Sequence, residues 1–114
     1  MSWGTVEAER EVAEWLLALP SGTFGHVRFY IDLLAEQGVA LDEPYTRHLR
    51  GKLRELRFHV EREQIRITYF VASGRRIVLL TMFHKTRQRE QAEIDRAWRA
   101  MQVCRSEHLG EEAQ

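Results

Sequence analysis

The stretch Leu53–Lys85, LRELRFHVEREQIRITYFVASGRRIVLLTMFHK, decides how this chain folds. Leu56, Phe58 and Val60 alternate with Glu55, Arg57 and His59, the period of two expected of a half-buried strand. Ile65, Ile67, Tyr69 and Val71 repeat the pattern and put Arg66, Thr68 and Phe70 on the other face. Ser73-Gly74 marks a hairpin turn, because Gly accepts the positive φ that tight turns need. The third run, Ile77 to Phe83, is nearly all apolar, as in a strand covered on both faces. A three-strand meander follows, ending where the chain turns polar and basic at His84, Lys85, Thr86 and Arg87.

Outward from the meander the period changes to that of helices. Ala8, Val12, Trp15, Leu16 and Leu19 form one helical stripe, and Pro20 stops it. Ser21 is a candidate N-cap for a second helix with Phe24, Val27, Ile31 and Leu34 on one face, and Gly38 suits its C′ position. Trp3 to Val6 is a candidate edge strand, by its Trp, Thr and Val content. Val39 to Arg50 is expected to be a connector. Past the meander, Gln88 to Cys104 is a third helix with Ile94, Ala97, Trp98, Met101 and Cys104 as its apolar stripe.

A chain of 114 residues is one domain, expected over residues 1–105 with a disordered acidic tail at 106–114. No apolar run nears the roughly 20 residues that span a bilayer, and no basic-plus-apolar leader opens the chain. Cys104 stands alone, which excludes an internal disulfide and offers no zinc pattern; His26, His48 and His108 are too scattered for a metal site. A cytoplasmic location is therefore expected, with no membrane association. The zero net charge conceals an asymmetry: residues 1–43 carry eight acids against two bases, and residues 44–105 carry fifteen bases against six acids. A basic second half on a neutral chain suits an anionic partner on one side.

Leu53, Glu55-Leu56-Arg57, Arg66, Tyr69-Phe70, Leu79-Leu80, Phe83-x-Lys85 and then Glu93-Ile94 and Ala97 resemble, in order and spacing, the RelE/HigB-type toxins of bacterial type II toxin–antitoxin systems. The branch they resemble is the phage-derived HigB-like group of the RelE/ParE superfamily, over roughly Trp3 to Met101. The resemblance implies an α+β fold: a small twisted antiparallel sheet, the three-strand meander plus an N-terminal edge strand, with two N-terminal helices and a C-terminal helix against one face. It further implies a ribosome-dependent mRNA endoribonuclease, neutralised by a cognate antitoxin that usually carries a helix-turn-helix domain. Relatives with this fold act in other ways, so fold alone does not set the reaction. Many members continue Phe-x-Lys-Lys-Thr-x-Lys-Thr-Pro. Here Phe83-His84-Lys85-Thr86-Arg87-Gln88-Arg89-Glu90 lacks the second Lys and the Pro, while Arg87 and Arg89 keep the charge.

Cleavage of RNA by its own 2′-OH needs a base for that hydroxyl, charge on the phosphorane and a proton for the leaving oxygen. Arg57, Arg66, Lys85 and Arg87 are the candidate phosphate ligands, since guanidinium forks match phosphate oxygens. Tyr69 and Phe70 are candidates to stack a splayed base, Phe70 the better by parity with Arg66. His84 and His59 titrate near neutrality and are acid–base candidates. The catalytic set is thus Arg57, Arg66, Lys85, His84 and Tyr69, and the RNA-binding set Lys52, Arg54, Phe70, Arg87 and Arg89, with no metal and no small-molecule cofactor. Plainer roles compete: Arg57 paired with Glu55, Tyr69 in the core, the histidines on the surface. The second functional class left open is a non-catalytic binding module of the same fold, a docking inhibitor or a degenerate toxin that binds only its antitoxin.

Overall fold

A computed structural model describes residues 2–86 and 90–112, with side chains through residue 107. Its elements run β1 (Thr5–Ala8), α1 (Arg10–Ala18), α2 (Ser21–Gln37), a 3-10 turn (Gly38–Ala40), β2 (Thr46–Arg50), β3 (Leu53–Val60), β4 (Glu63–Ala72), β5 (Arg76–His84) and α3 (Glu90–Glu112). The sheet order is β1-β5-β4-β3-β2, an α+β arrangement. The meander forms as its periodicity requires: β3 and β4 pair antiparallel with Leu56 opposite Ile67, and β4 pairs antiparallel with β5. The Gly74 and Arg75 φ values of +74° and +56° give the β4–β5 turn the mirror-image geometry that matches strand twist.

Several expectations are corrected. The edge strand forms two residues later than Trp3–Val6 and runs parallel to β5, so the sheet is mixed rather than antiparallel. Ala8 therefore closes β1 instead of opening the first helical stripe. The expected connector contains a fifth strand, β2, antiparallel to β3 with Thr46 opposite Leu56. Its sequence, TRHLR, is too short and polar to announce itself. Its entry is anchored by tertiary bonds: the Thr46 hydroxyl donates to the Leu41 carbonyl at 2.7 Å and accepts from Arg54 Nη2 at 3.1 Å. Ser21 is the first residue of α2 rather than its cap. Gly38 ends α2 with φ +54°, and a Cβ there would collide with the Trp3 ring. The third helix continues through residues assigned to the tail, from Glu90 to Glu112 instead of stopping at Cys104.

The helices do not share one face. Val12 of α1 and Val27 and Leu34 of α2 pack on Leu56, Phe58, Ile65, Ile67, Tyr69, Ile77 and Leu79. Ala97, Met101 and Cys104 of α3 pack on the reverse side, against Leu53, Phe70, Val78 and Leu80. Both faces of β5 are thus covered, as its apolar run foretells. Each fully buried aliphatic side chain here contributes about 1.5–3 kcal/mol.

One irregularity sets the phase of the far end of β5. Between Thr68 and Tyr69 the β4–β5 register shifts, so Thr68 faces Thr81 while Tyr69 faces Leu79. Leu80 is the extra residue of a bulge. The shift turns Thr81 and Phe83 to the α3 side, with Phe83 opposite Arg66. Past Ala8, where β1 ends, side chains serve the β5 edge: Met82 N–H donates to Glu11 at 3.0 Å, and Arg96 Nη2 donates to the Met82 carbonyl at 3.2 Å. No helix among the described residues is long and apolar enough to cross a membrane.

Candidate active site

Strand register fixes which side chains meet. On the α3 side, beyond the apolar patch under that helix, three rows cross the sheet. Arg47, Glu55, Thr68 and Thr81 form the first row, and Arg57, Arg66 and Phe83 the second. His59 and Gln64 begin the third, and Lys85 completes it, its amide donating to the Gln64 carbonyl at 2.8 Å. Three guanidiniums, Arg47, Arg57 and Arg66, thus stand near one carboxylate, with Lys85 on the same face two rows away.

Glu55 is fully buried, and its Oε2 lies 3.6 Å from both Arg57 Nε and Arg66 Nε, ion-pair distance without a hydrogen bond. Both Glu55 carboxylate oxygens and both Nε atoms are buried without a hydrogen-bond partner among the described residues. Such groups are costly to remove from water. Burial raises the Glu55 pKa above the usual 4.5, and the charge of Arg66 opposes that rise. Burial likewise lowers Arg66, against the pull of Glu55. In the same row the Thr68 and Thr81 hydroxyls share a 2.6 Å hydrogen bond, so that end of the row is satisfied.

Arg66 is only 3% exposed. Its Nη1 donates to the Ile65 carbonyl at 3.1 Å and its Nη2 to Gln64 Oε1 at 3.0 Å. It is the rear member of the pair. Arg57, 26% exposed in its side chain, is the front member, and its amide donates to the Tyr45 carbonyl at 2.8 Å. The Arg57–Arg66 pair opens onto a cleft of about 330 Å³ also lined by Tyr30, Tyr45, Phe58, His59 and Gln64. The first turn of α3 reaches this face as well: Glu90 acts on both Glu55 and Arg66.

Of the sequence candidates, Arg57, Arg66 and Lys85 come together, with His59 beside them. His84 does not join them: it pairs with Ile65 in the register, which turns it to the opposite face, and its Nδ1 lies 2.9 Å from Glu63. Tyr69 is a core residue, 2% exposed, its hydroxyl accepting from Arg54 Nε at 3.3 Å. That bond, with the one to Thr46, turns Arg54 inward on the α2 side. Phe70 shares a side with Arg66, but α3 covers it, and at 4% exposure it has no open ring face to stack. Lys52 sits in the β2–β3 turn, at the other end of β3 from His59. Arg87 and Arg89 lie outside the described residues. Sequence reasoning missed Arg47, whose strand it missed, and took Glu55 only as a partner for Arg57. The signal for Glu55 was an acid two residues after Leu53, on the same face of a strand of strong period two.

A model of the family described as "Phage derived protein Gp49-like" matches residues 14–102. The chain belongs to that family. No curated protein matches this Gp49-like chain. Among solved structures it is similar to the toxin–antitoxin complex RelBE2 from Mycobacterium tuberculosis, at 17% identity and TM-score 0.54, over 72% of this chain and 98% of that one. A mutant of the E. coli toxin RelE in the free state gives 13% identity and TM-score 0.58, over 85% and 94%. The archaeal RelE–RelB complex from Pyrococcus horikoshii gives 20% and 0.56, over 74% and 97%. At these identities the likeness is one of fold, and the Gp49-like chain has the RelE fold.

Proposed function

We propose that this chain is the toxin of a type II toxin–antitoxin pair and acts in the cytoplasm as an endoribonuclease on mRNA held by the ribosome. The observation that carries this is the Arg57–Arg66 pair on the buried Glu55, with Arg57 partly exposed and Lys85 following on the same face of the sheet. In the reaction the substrate 2′-oxygen attacks the adjacent phosphorus, the bond to the 5′-oxygen breaks, and one proton leaves the 2′-OH while another reaches the 5′-oxygen. Charge builds on the equatorial oxygens, where Arg57 and Lys85 stabilise it. Arg66, held from behind by Glu55, keeps the Arg57 fork in place. His59, the imidazole in the row beyond Arg57, serves the proton transfers.

Two of the similar solved structures are complexes of a toxin with its antitoxin or of RelE with RelB, which supports a protein antitoxin as partner. An acidic antitoxin segment suits the same basic face. A second reading, a module that inhibits by docking without cleavage, draws on Arg66, whose guanidinium is committed to Glu55, Ile65 and Gln64.

The test is inducible expression in a bacterium with mapping of new transcript 5′ ends, for the wild type, Arg57→Ala and Lys85→Ala. The nuclease predicts ends within translated frames that disappear in both variants. Growth arrest with intact message would replace it with the docking inhibitor.

A further inference from the structure

We propose that Glu90, in the first turn of α3, competes with RNA phosphate for the cations of this face and so keeps free RNA from binding tightly. The inference rests on the reading of this face as an RNA site and names a residue that makes it selective for RNA presented by the ribosome. Glu90 lines two clefts, one of about 350 Å³ shared with Arg47 and one of about 210 Å³ shared with Phe83. Arg47 stands opposite Glu55, and Phe83 opposite Arg66, in adjacent rows of the sheet. A side chain that borders both residues stands over the strip of β3 and β4 between them, where Glu55 and Arg66 lie. The charge of Glu90 reaches both groups. At Glu55 it adds to burial, the larger cause, in raising the pKa, and at Arg66 it sides with Glu55 against burial.

The two carboxylates meet the guanidiniums on different terms. Glu55 is a fully buried residue of β3 and cannot leave. Glu90 is partly exposed, stands on a helix, and among the described residues has no cation at ion-pair distance, whereas Glu93 in the same turn is closed by Arg96 at 2.8 Å. The clefts on either side leave the Glu90 carboxylate room to swing. An incoming phosphate has the same sign of charge and needs the same cations, the exposed Arg47 and the partly exposed Arg57. It must approach against Glu90 or displace it, and either step weakens binding. A strand already oriented by the ribosome has little further freedom to lose, so it tolerates this repulsion better than free RNA does. The ordinary role of a first-turn acid, facing the positive end of the helix dipole, would show in stability alone.

The experiment is fluorescence anisotropy of a short labelled single-stranded RNA titrated with the full chain, without ribosomes, for the wild type, Glu90→Gln, Glu90→Lys, Glu107→Gln and Arg57→Ala. Glu107 lies about five turns further along α3, so Glu107→Gln changes the net charge equally but far from the site. Glu90→Gln should bind the RNA about 3- to 30-fold tighter than the wild type, the Coulomb range for two unit charges roughly 8 Å apart near a protein surface, and Glu90→Lys tighter still. Glu107→Gln should stay within about 2-fold of the wild type, because salt screens a charge at that distance. Glu90→Gln and Glu90→Lys no tighter than Glu107→Gln would overturn the inference. If the RNA still bound and was lost in Arg57→Ala, the proposed function would stand without the competing carboxylate. No binding of RNA by any of the five proteins would remove both.

Discussion

The side of the sheet that meets α3 is buried in two different ways. Under α3, Leu53, Phe70, Val78 and Leu80 meet Ala97 and Met101, and the apolar contact stabilises the fold directly. Two residues along β3 and four along β4, Glu55 and Arg66 are equally shielded, yet their ion pair is long and neither carboxylate oxygen has a hydrogen bond among the described residues. The two ends treat a buried titratable group differently. Cys104, under α3, answers burial by keeping its proton: its thiol pKa is pushed up to about 12, chiefly by burial and then by Glu9. Glu55 has three guanidiniums nearby, Arg66, Arg57 and Arg47, which pull against that same response. Well-packed apolar residues commonly match or exceed a buried ion pair in stability. Stability therefore accounts for the apolar end and not for the charged one.

The comparison breaks most easily at the apolar end. Phe70→Ala should destabilise the protein by about 3–5 kcal/mol, the usual cost of emptying a buried aromatic site, measured by urea unfolding. A loss below about 1 kcal/mol would mean that α3 does not seal this patch. At the charged end, Arg57→Ala should cost about 1–3 kcal/mol in stability, because it takes one of two guanidiniums from the buried Glu55. It should cut cleavage in a ribosome-dependent assay by about 100- to 1000-fold, the loss typical of one transition-state charge contact. A variant that unfolds while the residual folded fraction cleaves normally would reverse the assignment of the two ends. The thiol of Cys104 gives the finest readout. It should resist alkylation near neutral pH in the wild type and in Arg57→Ala, and react in Phe70→Ala, with mass spectrometry counting the adduct. Rapid modification of the folded wild type would place Cys104 outside the sealed patch.

The part of this division legible in the sequence is specific. Alternation along β3 and β4 separated Ile65, Ile67 and Tyr69 from Arg66 and Phe70 correctly. It could not say that the second group is covered, because α3 arrives from a distant part of the chain. Its stripe of Ala97, Met101 and Cys104 was visible, but the sheet face that receives it was not. Phe70 therefore looked like an open ring, and Arg66 like a surface cation. The uniform apolar run of β5 hid the bulge at Leu80, and with it the phase that puts Phe83 and Lys85 beside Arg66 and leaves His84 behind. β2 was illegible because its short polar stretch forms a strand only by pairing with β3.

Glu55→Gln tests the central claim most directly, since the amide fills the same space without the charge. A carboxyl whose folded pKa is raised contributes most below its unfolded value, here 4.5, and that contribution is lost as pH climbs through the folded value. Urea unfolding of the wild type and Glu55→Gln from pH 4.5 to about 8 isolates this contribution in the difference between the two curves. The account predicts that the wild type loses ground to the variant as pH rises, and that at neutral pH Glu55→Gln lies within about 1 kcal/mol of it or above it. A wild type that gains on the variant over the same range, ending several kcal/mol more stable, would show that the carboxylate is kept for stability.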